Sequence, residues 1–339
     1  MDIDSPRVYT LKDIEKVTLL PSFQGTLIEA ISNGFVSFAQ NKFFAAAIQT
    51  MGAPPMAPFG AEALEGYAAQ TCVKSGYFQG NPYYVIKVAS GGYPHENSGL
   101  MQIYSQTNGR LQALLLDEGI LTELRTAAVG ALAAKLLAPK KINKIGIVGT
   151  GVQARYQLGM LELVTDCRDA LVWGRTPENV TKYCQEMRKK GWNIESVEHA
   201  DEMLQQCELI VTTTNSREPV LGTTGVAPLK GALITCIGSD AVGKIELDVS
   251  LVERANILVA DDPLQSKERG EFQSVLGQGR KTLEQIMPLG KLCHSKEFQR
   301  DPKDDQSFII FDSSGIALQD CVVAQMIYEA LMNQEGEVA

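Results

Sequence analysis

Residues 144–163 read KIGIVGTGVQARYQLGMLEL and decide the fold of the second half of the chain. The apolar run 145–148 predicts a buried strand, and the residues that follow predict a helix. Between strand and helix lies the pattern GxGxxA, formed by Gly149, Thr150, Gly151, Val152, Gln153 and Ala154. Gly149 permits a tight turn, Gly151 lets the backbone approach a pyrophosphate, and Ala154 keeps the helix close to the strand. The helix N-terminus also favours phosphate. We therefore predict a dinucleotide site here, with an ordinary strand–helix turn as the alternative.

Strand and helix patterns alternate on both sides of this turn. Such alternation predicts a parallel sheet covered by helices, the Rossmann-type α/β architecture. We assign residues 126–315 to this domain. The predicted strands are 145–148, 170–173, 196–199, 209–213, 232–237 and 257–260. The predicted helices are 152–164, 178–189, 200–207 and 249–254.

Residues 1–125 follow a different pattern and predict a separate α+β domain. A short helix capped by Thr10 and a helix over 25–42 precede β-rich segments. Those segments are 43–51, 70–78, 83–89, 100–105 and 111–117. Asn108–Gly109 between the last two predicts a hairpin turn. The joint near residue 125 lies within the Ala- and Leu-rich helix 121–138, and we expect the C-terminal helix 316–339 to return to this first domain.

Composition excludes several functional classes. The chain has 339 residues, 45% of them hydrophobic and 21% charged, with a net charge of −9. This balance is typical of a globular enzyme and disfavours nucleic acid, whose phosphates attract clustered Lys and Arg. No apolar run approaches the roughly 20 residues that span a bilayer, and no signal peptide is evident, so we expect a cytoplasmic protein without membrane contact. Seven scattered cysteines and three isolated histidines predict reduced thiols and no metal site.

The choice of dinucleotide depends on the end of the second predicted strand, where residues 172–176 read VWGRT. NAD-binding proteins usually place a carboxylate there for the ribose hydroxyls, and this chain has none. Arg175 can pair with a 2′-phosphate and Thr176 can donate to it, which favours NADP(H). NAD(H) stays possible if Arg175 merely stacks on the adenine. Thr213, at the end of the strand 209–213, completes the predicted cofactor residues.

Three charged residues interrupt apolar segments. Lys87 breaks the β-rich run 83–89, where burying a lysine is costly unless it is paired or functional; an edge strand is the alternative. Arg125 lies near the start of an apolar helix, and its fork matches a carboxylate. Asp240 follows the strand 232–237 at its C-terminal end, where ligands of open α/β sheets bind. The alternative is that Asp240 has only a structural role, as an N-cap or Asx-turn residue.

Several segments together resemble the ornithine cyclodeaminase/μ-crystallin family. They are LTELRTAAVGALAAKLLAP (121–139), IGIVGTGVQA (145–154), ALVWGRTPENV (170–180), CIGSDAVGKIELD (236–248) and FDSSGIALQDCVVAQMIYEAL (311–331). The resemblance implies a homodimer built on the first domain, which would also bind substrate, and a Rossmann domain that binds NAD(P). Family activities include ornithine cyclodeamination, alanine dehydrogenation and reduction of imino acids, and one branch also binds thyroid hormone.

The resemblance also implies roles for single residues. Lys87 and Arg125 match the residues that contact the substrate carboxylate, with Lys87 assisting proton transfer, and Asp240 matches the aspartate that handles the amine or a catalytic water. Two positions depart from the cyclodeaminase pattern: Lys74 stands where those enzymes have a glutamate, and Gln49 stands roughly where an arginine is expected. Replacing an acid with a cation removes a partner for ornithine and suits a substrate with a second carboxylate.

We therefore expect an NAD(P)H-dependent reductase of a small imino acid that runs reversibly as an amino-acid dehydrogenase. Lys87 and Asp240 are its predicted catalytic residues, and Arg125, Lys87, Lys74 and Gln49 its predicted substrate-binding residues. An ornithine cyclodeaminase and a non-catalytic NADP-dependent binding protein are the alternatives.

Overall fold

The computed structural model describes residues 5–52, 70–91, 98–295 and 306–338. The chain forms two compact units. The first contains residues 1–125 and 317–339, and the second contains residues 126–316.

The two units contain fifteen described strands and ten described α-helices in the ranges above. The strands are β1 Arg7–Tyr9, β2 Phe43–Ala45, β3 Gln49–Gly52, β4 Gln70–Phe78, β5 Tyr83–Gly91, β6 Ser98–Ser105, β7 Leu111–Leu115, β8 Ile145–Val148, β9 Asp169–Trp173, β10 Asn193–Ser196, β11 Leu209–Thr212, β12 Leu233–Cys236, β13 Ile257–Ala260, β14 Ile286–Pro288 and β15 Ile309–Asp312. The helices are α1 Leu11–Thr18, α2 Phe23–Ala39, α3 Ile120–Leu137, α4 Val152–Leu161, α5 Pro177–Lys189, α6 Val249–Arg254, α7 Pro263–Arg269, α8 Gln273–Gly277, α9 Leu289–Ser295 and α10 Ala317–Val338.

The first unit contains a seven-stranded sheet in the order β1-β7-β6-β5-β4-β2, with β3 also paired to β4. All its pairs are antiparallel except β1 with β7. Because side chains alternate along a strand, one face carries the buried residues Val85, Met101, Ile103 and Leu115. Helix α10 packs on β4, since the Cys321 thiol donates to the Gly76 carbonyl at 3.2 Å. Gly109, at φ +70°, closes the β6–β7 hairpin as predicted.

The second unit contains an eight-stranded sheet in the order β10-β9-β8-β11-β12-β15-β13-β14. Every strand pair in it is parallel, which confirms the predicted Rossmann-type α/β class. The strand order changes direction between β8 and β11, so the turn after β8 lies at the switch point where ligands of such sheets bind. Its core strands are short, buried and rich in Ile, Leu and Val.

Several predicted bounds were wrong. The strand predicted at 196–199 is β10 at Asn193–Ser196, which begins soon after Gly191 (φ +93°) and pairs with β9. The predicted helix 200–207 is a 3-10 helix at Ala200–Gln205, and the segment 43–51 forms two strands rather than one. Strands β1, β14 and β15 and helices α7, α8 and α9 were missed, because elements of three to seven residues give little periodicity.

All seven cysteines are free thiols. Among the described helices none combines the length and apolar character that crossing a membrane requires.

Candidate active site

The glycine turn after β8 has the shape expected of a phosphate site. Gly149 has φ +116°, and a Cβ there would lie 2.5 Å from the Thr213 hydroxyl, so the fold itself requires this glycine. Gly151 is the N-cap residue of α4, so no side chain caps this helix. A Cβ at Gly151 would meet nothing within 4 Å. The protein therefore has no steric need for a glycine at Gly151, and the exposed N-terminus of α4 has room for an anion. These features fit the pyrophosphate of a dinucleotide.

Arg155 supports this turn, and the sequence reasoning missed it. Its guanidinium donates to the carbonyls of Thr150 and Gly151 at 2.6 and 3.0 Å. It also pairs with Glu186 and lies over the ring of Tyr183, whose hydroxyl donates to the Ala154 carbonyl. Because the arginine holds these carbonyls, it restrains the turn in one conformation. The charge four residues after Gly151 is the signal that could have drawn attention to it.

Glu246 connects the loops that follow β11 and β12. Its carboxylate accepts hydrogen bonds from the Thr212 hydroxyl at 2.6 Å, the Gly238 amide at 2.9 Å and the Thr214 amide. Thr213, between two of these donors, contacts Gly149 and donates to the Val148 carbonyl. Glu246 was also missed by the sequence reasoning, although it lies within the GKIELD segment quoted above.

Arg175 and Thr176 are exposed at the end of β9, next to the glycine turn. A Cβ on the neighbouring Gly174 would lie 2.9 Å from the Thr150 side chain, so this strand end and the turn are in contact. Gln153 is half-buried on α4 and accepts a hydrogen bond from Gln157. These residues thus lie at the carboxyl edge of the sheet.

Asp240 lies in the loop after β12, with 55% of its side chain exposed. The Lys244 ammonium contacts it at 2.7 Å and also donates to Asn215, and the Arg269 side chain donates to the Asp240 carbonyl. The structure therefore places this carboxylate in an ion pair at the same sheet edge as the glycine turn.

The first unit brings three predicted cations together in its interior. Lys74 and Lys87 are direct cross-strand partners on β4 and β5, and Arg125 lies on α3. Each of the three residues is at most 7% exposed. Asp320 of α10 contacts both Lys87 Nζ, at 3.2 Å, and Arg125 Nε, at 2.9 Å. Gln319 accepts a hydrogen bond from Arg125 Nη1 at 2.6 Å.

The electrostatics of this cluster follow from burial and from the neighbouring charges. Burial, followed by the charges of Lys87 and Arg125, lowers the pKa of Lys74 to about 8. Burial also lowers the pKa of Lys87, while Asp320 opposes that shift. Although burial disfavours the charged form of Asp320, the three cations lower the pKa of its carboxyl below the usual value. Burial raises the pKa of Asp117, whose carboxylate accepts the Leu121 amide at the start of α3.

Asp320 and Gln319 were not among the predicted site residues. Two polar residues in succession within the largely apolar first turns of helix α10 were the available signal, because buried polar groups need partners. Gln49 lies on the exposed strand β3 opposite Val73. His95, one of the three isolated histidines, lies outside the described residues.

The comparisons with solved structures agree on the fold. An archaeal alanine dehydrogenase dimer with bound NAD superposes with a TM-score of 0.83 at 25% identity, covering 97% of each chain. The iminosuccinate reductase of Paracoccus denitrificans in complex with NAD+ superposes with a TM-score of 0.79 at 26% identity, covering 98% of this chain and 97% of the other.

The sequence comparisons identify the family. The iminosuccinate reductase of Paracoccus denitrificans is 32% identical over 255 residues, which is 72% of this chain and 77% of the relative. Other relatives are the ketimine reductase mu-crystallin of Mus musculus, the Delta(1)-pyrroline-2-carboxylate reductase of Bacillus cereus and the ornithine cyclodeaminase of Brucella abortus, at 28–30% identity over 64–70% of this chain and 58–70% of each relative. These relatives are oxidoreductases or lyases. The profile of the ornithine cyclodeaminase/mu-crystallin family matches residues 86–335, and the chain belongs to this family.

Proposed function

We propose that the protein is an NAD(P)H-dependent reductase of small 2-imino acids whose substrate has a second carboxylate. The reverse reaction is the dehydrogenation of the corresponding amino acid. The observation that supports this function is the burial of Lys74, Lys87 and Arg125 around Asp320 in the first unit. Clustered buried cations are costly to maintain, which favours a role in binding anionic groups.

Lys87 and Arg125 bind the α-carboxylate in this proposal, because an ammonium and a guanidinium together give charge-assisted hydrogen bonds. Lys74 binds the second carboxylate. The cyclodeaminase pattern has an acid at this position, which would repel such a group and attract the side-chain amine of ornithine. The 32% identity to an iminosuccinate reductase supports a dicarboxylic imine, since iminosuccinate has two carboxylates.

The dinucleotide, when bound, supplies or accepts the hydride of the reaction. The glycine turn with Arg155 holds its pyrophosphate, with Thr150, Val152, Gln153, Ala154 and Thr213 around it. Asp240 holds the ammonium or protonated imine nitrogen, and Lys87 or Asp240 with water supplies the proton when the imine is neutral. Gln49 contributes a minor substrate contact in this proposal.

The exposed Arg175 supports NADP(H) as the preferred dinucleotide, since its guanidinium suits a 2′-phosphate and no carboxylate lies at the end of β9. NAD(H) is the competing outcome, and the alanine dehydrogenase and iminosuccinate reductase structures contain NAD.

The protein is a homodimer in this proposal, formed through the outer face of the first unit's sheet. Phe44, Tyr77, Tyr84 and Tyr104 are successive cross-strand neighbours on that face and form two stacked pairs, with centroids 5.2 and 5.0 Å apart. We call these four residues the aromatic face. Phe44 and Tyr77 are 46% and 38% exposed. Exposed aromatic patches mark interfaces, and the similar alanine dehydrogenase is a dimer.

The test is a substrate panel with NADPH and NADH. Oxaloacetate, pyruvate and a cyclic imino acid are each supplied with ammonia or methylamine, and cofactor oxidation is followed. The wild type is expected to reduce the imine of oxaloacetate with the highest kcat/KM. Lys74→Met should raise the KM for that imine at least about tenfold and change the KM for the pyruvate imine little, because a charge-assisted hydrogen bond is lost. Lys42→Met, an exposed lysine of the same unit, is the matched control.

The pH dependence follows from the pKa of Lys74, which lies at about 8. Below that value the ammonium is charged and binds the second carboxylate, so the dicarboxylic imine loses affinity as pH rises through about 8, and Lys74→Met should not show this loss. Ammonia release from ornithine without net cofactor oxidation would indicate a cyclodeaminase instead. Dinucleotide binding without any turnover would indicate a binding protein.

A further inference from the structure

We propose that Asp320 is a positioning residue of the imino-acid site, which holds Lys87 and Arg125 in place and keeps Lys87 charged for carboxylate binding. This inference rests on the proposed function, in which those two cations bind the substrate. Nothing in the sequence patterns or in the comparisons assigns a role to Asp320.

The geometry shows how one carboxylate controls both cations. The same oxygen, Asp320 Oδ1, lies 3.2 Å from Lys87 Nζ and 2.9 Å from Arg125 Nε. Gln319, the preceding residue of α10, holds Arg125 Nη1 at 2.6 Å. Helix α10 therefore contacts the guanidinium on two of its nitrogens and fixes its plane. The Nη2 amino group takes part in neither of these contacts.

The titratable groups around Lys87 lie on four segments of the described residues. Lys74 and Cys72 face it from β4, Arg125 faces it from α3, Asp117 faces it from the turn before α3, and Asp320 faces it from α10. Desolvation lowers the pKa of Lys87, and Arg125 lowers it further, whereas Asp320 exerts the largest opposing effect. Asp320 thus stabilises the ammonium form against both burial and two neighbouring cations.

A neutral residue at this position would change the chemistry of Lys87. Without the opposing anion, burial and repulsion from Lys74 and Arg125 would favour the neutral amine. A neutral amine binds a carboxylate far less strongly than an ammonium does, because the charge-assisted bond is lost. The substrate site would then work only at lower pH.

The experiment compares Asp320→Asn with the wild type over a pH series. An opposite charge within about 4–6 Å changes a pKa by one unit or more. The alkaline limb of kcat/KM for the pyruvate imine, whose binding does not involve Lys74, is therefore expected to move to lower pH by about one unit or more, with activity largely recovered on the acidic side. The Kd of the reduced dinucleotide should stay within about twofold of the wild type. Glu329→Gln, an exposed carboxylate on the same helix, is the matched control.

A second readout does not depend on turnover. The titration of Lys87 is followed by NMR of protein labelled with 13C at lysine Cε, with the Lys87→Arg variant assigning its signal. We expect the titration midpoint to fall in Asp320→Asn. A protein without reductase activity that shows this fall would contradict the proposed function but support the role of Asp320. An active protein in which the titration midpoint of Lys87 does not fall would support the proposed function and contradict the role of Asp320.

A loss of activity that is equal at every pH, with an unchanged Lys87 titration, would show that Asp320 is merely structural and would overturn the inference. If Asp320→Asn does not fold, Asp320→Glu decides, because it keeps the charge and moves the carboxylate by one methylene. In Asp320→Glu, the alkaline limb of the kcat/KM profile should stay at nearly the same pH as in the wild type, while kcat/KM itself falls. An alkaline limb that moves by about one pH unit or more in Asp320→Glu would also overturn the inference.

Discussion

Lys74 and Lys87 are an unusual pair, because like charges directly opposite each other on neighbouring strands destabilise a sheet. Both are buried, and a buried ammonium is costly unless an anion or a hydrogen-bonding group compensates it. Asp320 compensates part of this cost through Lys87. Burying these two lysines therefore lowers the stability of the folded protein, as is common where a protein keeps charged groups for binding.

The role of Arg175 in the choice of dinucleotide can be tested by substitution. Arg175→Ser is expected to raise the Kd for NADPH at least about tenfold and to leave the Kd for NADH within about twofold, because only the 2′-phosphate contact is removed. The measurement is titration of cofactor fluorescence. Arg110→Ser, at an exposed arginine of the first unit, is the control. Equal losses for both dinucleotides would indicate that Arg175 stacks on the adenine instead.

At the scale of elements, buried carboxyl groups connect the segments after β11, β12, β13 and β15. Glu246 accepts from two of these loops, and Glu271 accepts from the Glu246 and Leu247 amides. Asp312, at the end of β15, accepts from the Ser266 hydroxyl. Burial first, then the other carboxyl groups, raises the pKa of Glu271 and of Asp312 well above their usual values.

The raised pKa values of these buried carboxyl groups predict how the stability of the protein depends on pH. A raised pKa in the folded state means that the native protein binds more protons than the unfolded chain, so stability falls as pH rises above the unfolded value of about 4.3. Glu271→Gln removes one such group. The decrease in melting temperature between about pH 5 and about pH 8 is therefore expected to be smaller in this variant than in the wild type. Glu268→Gln, at an exposed position, serves as the control. An unchanged pH dependence in Glu271→Gln would contradict the assignment.

At the scale of the whole molecule, each unit has its own sheet and its own core. The first unit buries one face of its sheet beneath α2 and α10 and leaves the aromatic face on the other side. The second unit contains a wholly parallel sheet, whose central strands β8, β11, β12 and β15 are buried on both faces. Among the described residues, the aromatic face is therefore the sheet surface that we propose for pairing with a second copy.

The aromatic face predicts the effect of a charge on assembly. Tyr77→Asp is expected to convert the proposed homodimer to a monomer, because a buried unpaired carboxylate at an interface is strongly unfavourable. Sedimentation velocity measures the change. Leu264→Asp, at a residue 64% exposed in the second unit, should leave the assembly state unchanged. A Tyr77→Asp protein that dimerises as the wild type does would rule out this face as the interface.

Local patterns were sufficient for much of the fold. The bounds of β4, β8, β13 and α6 agree with the sequence predictions, because clear end signals specify them even where the element is short. The glycine turn was recognisable for the same reason, since the strand, the two glycines and the helix are contiguous. The family could likewise be inferred from residues such as those of RTAA and GSDAVGK, and the comparisons confirm it.

The arrangement of the buried charges could not be obtained this way. Lys74, Lys87, Arg125 and Asp320 come from four elements, and Arg125 is 194 residues from Gln319, its hydrogen-bond acceptor. Sequence alone determined which cations were unusual, because a charge in an apolar run is visible locally. Only the tertiary structure decided which anion lies against them, because the pairing depends on helix α10 returning to the sheet of the first unit, and no local pattern specifies a contact over that separation.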